Sequence, residues 1–390
     1  MNIRDFIKSF WDITRHIVFA RRAKVLFYYP QHFNRSAKGT NPFFDALLET
    51  CENNGISYKL IEEPDWGTDK PRNPKALKGD ALYLLILLLR KMVRCLRPGK
   101  PFYLNETIVA RILNVLTFGR LLYSKYISIS GSLNELFLAL NPKGQVFEMQ
   151  HGIVYHNIIS FFGKDGRLKE AYKNPNLHFL FWGEGYRQSV IRGHESELEH
   201  RTHVIGYPVK SDSAGIAPTH QEKYIVFSLQ FTADWDMPML EQVKQMLIEC
   251  LEQLRTTGTQ VLLKHHPRYN NVIDIRDIYQ RFDFVQETKE SLPSLINKTL
   301  LHVTYFSTTA FEFAAEGVPT FFMSNRNFPL NNNLFYCEYG YPIYRENKIA
   351  YVVNELKQPN NFNAYSRIVL DWYQKYYSPY NEFFSINNIY

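Results

Sequence analysis

Short apolar runs rich in strand-forming residues alternate with helix-length segments along this chain, and the alternation is interrupted once. Lys24–Tyr29 (KVLFYY) ends at Pro30, a helical stretch runs from Asn41 to Asn53, and Gly55 leads into Ser57–Ile61. Strand, helix, strand in that order demands a crossover, so the strands are parallel and both faces of the sheet are covered. Further strand candidates follow at Tyr126–Ser130, Gln145–Met149, Leu177–Trp182 and His203–Ile205. Gly206-Tyr207-Pro208 then breaks the pattern, and the polar, small-residue stretch VKSDSAGIAPTH runs to His220 as an interdomain linker would. A second series begins beyond it: strand Lys223–Leu229, helix Met239–Leu254, strand Gln260–Lys264, strand Leu300–Tyr305, helix Thr308–Glu316 and strand Pro319–Met323.

Two such series predict two α/β domains, which suits 390 residues at about 100–200 residues per domain. The expected division is an N-terminal helix over 1–22, a first domain over 23–208, a linker over 209–221, a second domain over 222–360, and a helical tail over 361–390 that could cross back. Hydrophobic residues at 45% and charged residues at 21% separate the chain from disordered sequences. A net charge of +7, dispersed and without a nucleic-acid-binding motif, suits anionic substrates or an anionic membrane surface, and no nucleic-acid partner is expected. Cys51, Cys95, Cys250 and Cys337 are widely spaced free thiols, and the start of the chain lacks a signal-peptide layout, so a cytoplasmic location is expected.

In the first helix Ile3, Phe6, Ile7, Phe10, Ile17 and Val18 fall near one face and Arg4, Asp5, Lys8, Asp12 and Arg15 on the other, with Trp11 beside the apolar side and Arg21, Arg22 and Lys24 just beyond. Such a helix can lie in a bilayer interface or pack against its own domain. The apolar run Ala81–Leu89, followed by Arg90, Lys91 and Arg94, falls short of the roughly 20 residues a span needs and reads as a buried or membrane-dipping helix. Contact with the inner face of the membrane is therefore expected without a transmembrane segment.

Three clusters lie just beyond strand ends, where open α/β sheets hold their ligands. Gln150-His151-Gly152 follows Gln145–Met149; His151 has the pKa range to take a proton from an acceptor hydroxyl, Glu148 is the alternative base, and Gln150, Gly152 and His156 are candidates for acceptor binding. A histidine that only hydrogen-bonds its loop would look the same. Lys264-His265-His266-Pro267-Arg268 follows the second domain's second strand, offering cationic and donor side chains to a nucleotide phosphate, with Pro267 stiffening the turn. A metal is the rival, but adjacent His265 and His266 point to opposite faces of an extended segment and no zinc-like spacing accompanies them. Ser307, Thr308 and Thr309 open a helix carrying Glu312, where a hydroxyl could cap the helix and backbone N–H groups receive a phosphate. Asp234-Trp-Asp236 formally matches an Asp-x-Asp metal motif, though such triplets arise readily by chance. Neither a metal nor a cofactor is expected.

These clusters together resemble the GT-B glycosyltransferases of bacterial capsule, lipopolysaccharide and teichoic-acid synthesis over roughly residues 24 to 325. The resemblance implies two Rossmann-like, doubly wound domains facing each other across a cleft, with a nucleotide-activated sugar held by the second and an oligosaccharide or lipid-linked glycan acceptor by the first. Ser307–Thr320 looks like that family's donor-domain helix, in which serine or threonine meets phosphate and an acid such as Glu312 meets the ribose. His266-Pro267 is similar to the His-Pro motif of CMP-sialic acid and CMP-Kdo transferases, which often use an Asp or Glu base, here Glu148. Gln150-His151-Gly152 looks instead like the His-Gly element of CDP-glycerol polymerising enzymes, which implies His151 as base and a glycerol- or ribitol-phosphate transferase as the alternative activity. A nucleotide-sugar 2-epimerase shares the fold, and a non-catalytic scaffold of a polysaccharide assembly complex is the alternative of another class.

Overall fold

All six residues of Val25–Pro30 are buried, which is what a strand covered on both faces requires. In this computed structural model, residues 3–19, 23–158, 160–209, 223–232, 235–266, 272–343, 348–382 and 389 are described. They fall into two units, Met1–Lys210 with Tyr377–Tyr390, and Ser211–Tyr376.

The first unit runs α1 (Ile3–Phe19), β1 (Val25–Pro30), α2 (Pro42–Asn53), β2 (Tyr58–Glu63), β3 (Leu77–Lys78), α3 (Asp80–Leu96), α4 (Phe102–Leu116), β4 (Lys125–Ile129), α5 (Asn134–Leu140), β5 (Gln145–Met149), β6 (Leu177–Phe181), α6 (Glu184–Ile191), α7 (Glu195–Leu198) and β7 (Thr202–Val204). Its strands form one parallel sheet in the order β3-β2-β1-β4-β5-β6-β7. The second unit runs β8 (Tyr224–Ser228), α8 (Met237–Leu254), β9 (Val261–Lys264), α9 (Arg276–Arg281), β10 (Val285–Glu287), α10 (Leu292–Ile296), β11 (Thr299–Thr304), α11 (Thr309–Ala315), β12 (Thr320–Phe322), α12 (Leu334–Cys337), α13 (Ile349–Leu356) and α14 (Pro359–Tyr376). Its sheet is parallel in the order β10-β9-β8-β11-β12. Both orders start at a central strand, wind outward one way and then reverse, the doubly wound pattern the alternation predicts. The chain is an α/β protein with two parallel sheets.

The N-terminal helix packs on its own unit. Ile13 and His16 are buried, Ser9 Oγ donates to the Lys78 carbonyl at 2.6 Å and accepts from the Ala81 N–H at 2.9 Å, and His16 meets the Tyr123 hydroxyl at 2.8 Å. Ile7, Phe10 and Trp11 nevertheless stay exposed. Arg21 and Arg22 lie outside the described residues, as do residues 210–222, which hold almost all of the expected linker. Gly206-Tyr207-Pro208 belongs to the first unit: Tyr207 pairs with Pro379, and the returning segment is tied down by Ser378 N–H to the Trp182 carbonyl at 3.1 Å and Asn381 N–H to the Ile205 carbonyl at 2.8 Å. Gly206 sits at φ +81°, and a Cβ there would fall 2.0 Å from the Pro379 oxygen, so only glycine lets the two segments approach. Of the expected tail, α14 belongs to the second unit and residues from Tyr377 onward to the first.

Candidate functional site

In the first unit the strand order reverses between β1 and β4, which puts the expected ligand crevice at their carboxyl ends. The chain leaves β4 through Ser130 and Gly131, both at positive φ (79° and 67°). Serine is rare in that region. The turn lays the backbone against Glu148: a Cβ on Gly131 would stand 3.0 Å from the carboxylate. Glu148 is buried at the end of β5, its Oε2 accepting from Asn134 Nδ2 at 2.7 Å, while Ser128 Oγ donates to Asn134 Oδ1 at 2.6 Å. Burial raises the Glu148 pKa to about 7, and the Asn134 hydrogen bond opposes that rise.

One residue pair later the chain emerges at the tip. Gln150 is buried and spends both ends of its amide on the backbone, accepting from the Trp182 N–H at 3.0 Å and donating to the Gly152 carbonyl at 2.8 Å. It braces the loop that displays His151. Gly152 is exposed and a Cβ there would touch nothing, so no close approach demands a glycine. His151 is solvent-accessible, edge-on to Phe33 with ring centroids 5.2 Å apart. Crowding of its ring lowers its pKa; a hydrogen bond to the Met149 carbonyl raises it, and the nearby charges of His32 and Arg35 lower it further. The net lowering favours the neutral ring, the form that can accept a proton. His156 is half-buried in the following loop.

A further pair at this tip escaped the sequence reading. His32, just past β1, places Nδ1 2.7 Å from Asp65 Oδ2, just past β2, and its ring lies 4.5 Å from Phe33. Asp65 and His32 are 33 residues apart, and only the pairing of β1 with β2 brings them together. The surrounding loop is fixed by Arg72, which binds both the buried Glu62 and Asp80 Oδ2, the latter at 2.9 Å.

In the second unit the order reverses between β8 and β11. Gln230, past β8, accepts from the Phe306 N–H, past β11, at 2.8 Å and joins the two tips. Ser307 is buried; its N–H faces Thr304 Oγ1 at 3.4 Å and its Oγ accepts from the Thr309 N–H at 3.3 Å. Of the two hydroxyls that could cap α11, that of Thr308, at the N-cap position, makes no capping bond, and that of Ser307 is the one that bends back to the helix start. Thr308 and Glu312 are exposed. Thr309 is half-buried, its hydroxyl 3.3 Å from Nε2 of the fully buried His302, whose pKa burial drives down to about 3. That neutral histidine also meets Ser228 Oγ and Thr320 Oγ1, each at 2.9 Å, and so ties three strands together beneath the tip.

Lys264 ends β9, next to β8, with Nζ donating to the Glu290 carbonyl at 2.6 Å. His265 and His266 follow, both half-buried; Pro267 and Arg268 lie outside the described residues. Asp234 also lies outside them, and Asp236 caps α8 by accepting from the Met239 N–H at 3.0 Å, a structural use of the motif's second carboxylate. Among the described residues no group of three or more His, Cys, Asp or Glu could hold a metal ion. Trp235, Tyr305, Phe306 and Phe328 form a chain of edge-on and tilted rings 5.1–6.2 Å apart beside the β11 tip.

No protein-family model matches the chain. No curated protein matches it either. Among solved structures, the wall teichoic acid polymerase TagF (H444N variant) aligns with a TM-score of 0.49 at 13% identity, over 98% of this chain and 95% of that one. The UDP-GlcNAc 2-epimerase from Neisseria meningitidis aligns at 0.49 and 12%, over 90% and 96%. The glycotransferase of kitacinnamycin aligns at 0.48 and 11%, over 90% and 96%. With TM-scores under 0.5, these likenesses say nothing about this chain's residues or chemistry.

Proposed function

We propose that this protein is a glycosyltransferase that moves a sugar from a nucleotide-activated donor, with CMP-linked Kdo or sialic acid preferred, to a growing surface-polysaccharide acceptor. The observation that carries the reading is the make-up of the second unit's switch point, where Ser307, Thr308 and Thr309 lie past β11, and Lys264 ends β9 with His266 just beyond it, two strands away across β8. Hydroxyl, ammonium and imidazole donors at the tips of the two strands flanking β8 are the kind of groups that hold a nucleotide phosphate and stabilise it as it leaves. No metal is required of such a set. Glu312, exposed on the first turn of α11, is assigned to the ribose.

At the first unit, His151 takes the acceptor hydroxyl's proton as the acceptor oxygen attacks the sugar and the donor's phosphate departs with the bonding pair. Its accessible ring and lowered pKa suit that role. Glu148 is buried near the end of the strand that leads to it, and His156 and Gly152 are assigned to the acceptor. A lipid-linked acceptor would place the enzyme at the inner face of the cytoplasmic membrane, a reading supported by the exposed Ile7, Phe10 and Trp11 of α1.

The test is thermal unfolding with CMP, CDP, UDP and GDP. A ligand at 100 times its Kd stabilises the folded state by about 2.7 kcal/mol. A cytidine nucleotide should raise Tm, and His266→Ala should abolish the shift; silence from all four nucleotides would overturn the reading. The second reading, a glycerol- or ribitol-phosphate transferase using a CDP-linked donor, is favoured by the exposure of His151 rather than Glu148, the base its Gln-His-Gly element implies. Phosphate incorporated into the product decides for it.

A further inference from the structure

Between Asp80 and Leu122 the chain carries Arg90, Lys91, Arg94, Arg97, Lys100, Arg111 and Arg120, against only two acids, Asp80 and Glu106. Both acids are buried and ion-paired, Asp80 with Arg72 at 2.9 Å and Glu106 with Arg90 at 2.8 Å. Every exposed charge on this helical pair is therefore positive: Lys91, Arg94, Lys100 and Arg111. Large apolar side chains are exposed among them. Leu88, Met92 and Leu96 recur at intervals of four along one stripe of α3, and Leu96 is 78% exposed. Val115 at the end of α4 is 74% exposed, and Phe118 just beyond it 81%. Phe118 sits at φ 50°, a conformation unfavourable for an aromatic residue, and its side chain nevertheless stays largely exposed. α3 packs on both α1 and α4, and α1 adds its own exposed Phe10 and Trp11.

We propose that the α3–α4 pair is a docking surface for an anionic lipid bilayer, lying in the plane of the interface with Leu96, Val115 and Phe118 inserted and the four exposed basic residues on the headgroups. The proposal rests on the membrane placement given above and names the surface that achieves it. Large apolar side chains left this exposed along one helix pair, interleaved with basic residues, suit an interaction site. Charge selects the occupant. A second copy of the chain, meeting this face symmetrically, would bring Lys91, Arg94, Lys100 and Arg111 against their own counterparts; anionic headgroups complement them instead, each contributing about fivefold in affinity near the surface. No helix among the described residues is long and apolar enough to cross a membrane, so the contact is interfacial.

The full chain is floated with vesicles of equal parts phosphatidylglycerol and phosphatidylcholine, and with vesicles of phosphatidylcholine alone. Binding is expected to the first, weakening as salt rises. Replacing Lys91, Arg94, Lys100 and Arg111 together with Gln should weaken it several-hundred-fold at about fivefold per charge. A Leu96→Ser, Val115→Ser, Phe118→Ser variant should weaken it at least tenfold with Tm unchanged, because these side chains are exposed. Equal binding to both vesicles, or binding indifferent to both variants, would overturn the proposal. So would a lipid-free dimer in sedimentation that the serine variant dissociates, which would assign the face to a second copy. Nucleotide-induced Tm shifts read on the same samples keep the two questions apart: their absence sinks the transferase reading and leaves the vesicle result standing.

Discussion

Glu148 is a carboxyl group whose proton should be measurable in the stability of the protein. Burial raises its pKa from 4.5 to about 7. The folded state therefore holds this proton more tightly than the unfolded chain, so the stability it brings is fully present below pH 4.5 and is lost as pH rises through about 7. A tenfold change in proton affinity is worth 1.4 kcal/mol, so the loss amounts to about 3 kcal/mol between those limits. Glu148→Gln removes the titration and keeps an oxygen for the 2.7 Å hydrogen bond from Asn134. The variant should match the wild type near pH 4.5 and exceed it by about 3 kcal/mol at pH 8, measured by urea unfolding across that range. Parallel stability curves for the two proteins would show that Glu148 is not protonated in the fold. Turnover in the same variant bears on catalysis: with His151 as the proton acceptor, Glu148→Gln remains active at pH 8, while His151→Asn loses on the order of a hundredfold in kcat or more.

Gly206→Ala drives a Cβ to within 2.0 Å of the Pro379 oxygen at a left-handed position, so it should cost about 2 kcal/mol or more and open residues 377–382 to limited proteolysis. Arg201 is buried, its guanidinium donating to the carbonyls of Glu197, Tyr172, Asn174 and Leu177 at 2.9–3.0 Å. Arg201→Met should therefore destabilise on the order of 3 kcal/mol in chemical denaturation, since those acceptors are left unpaired. Asp236→Ala should cost about 1 kcal/mol through the lost cap of α8, with Asp236→Asn restoring most of it and added Mn²⁺ or Mg²⁺ changing neither Tm.

The strands were legible because each is a short, buried run of β-branched and aromatic residues ended by Pro, Gly or polar residues; Gln145–Met149 stands where its sequence places it, and β1, β4, β8 and β11 fall within a residue of theirs. The two-residue β3 (Leu77–Lys78) and three-residue β10 (Val285–Glu287) were invisible, because each offers a single apolar residue beside polar, exposed or half-buried ones and so no apolar run, unlike the equally short β12. Tip residues could be read only where one segment holds the whole cluster, as in Gln150-His151-Gly152. His32 and Asp65 lie 33 residues apart, and no local spacing announces a pair that strand registry creates. Gln150 misled for the opposite reason: in sequence it belongs to the displayed loop, yet its amide is turned inward to hold that loop.

The two strand-end regions differ in charge, and the proposed placement of donor and acceptor can be tested on that difference. At the first unit the ends of β2 and β5 hold the buried Glu62, Glu63 and Glu148, Arg72 is paired with Glu62 and Asp80, and the loop after β2 carries Asp65 beside His32. A nucleotide phosphate near Asp65 would meet like charge, whereas the imidazolium formed when His151 takes the acceptor's proton would be stabilised by it. The tip segments 229–232, 265–266 and 305–308 of the second unit carry no carboxylate among the described residues. A single charge placed there should therefore act on the phosphate alone. Gln230→Glu keeps an oxygen to accept the 2.8 Å bond from the Phe306 N–H and adds one negative charge at the switch point. Its Tm without ligand should stay close to wild type while the nucleotide-induced shift is lost, since a like charge a few ångströms from a phosphate costs on the order of a kcal/mol or more. A full nucleotide shift in this variant would place the phosphate elsewhere and refute the assignment of donor to the second unit.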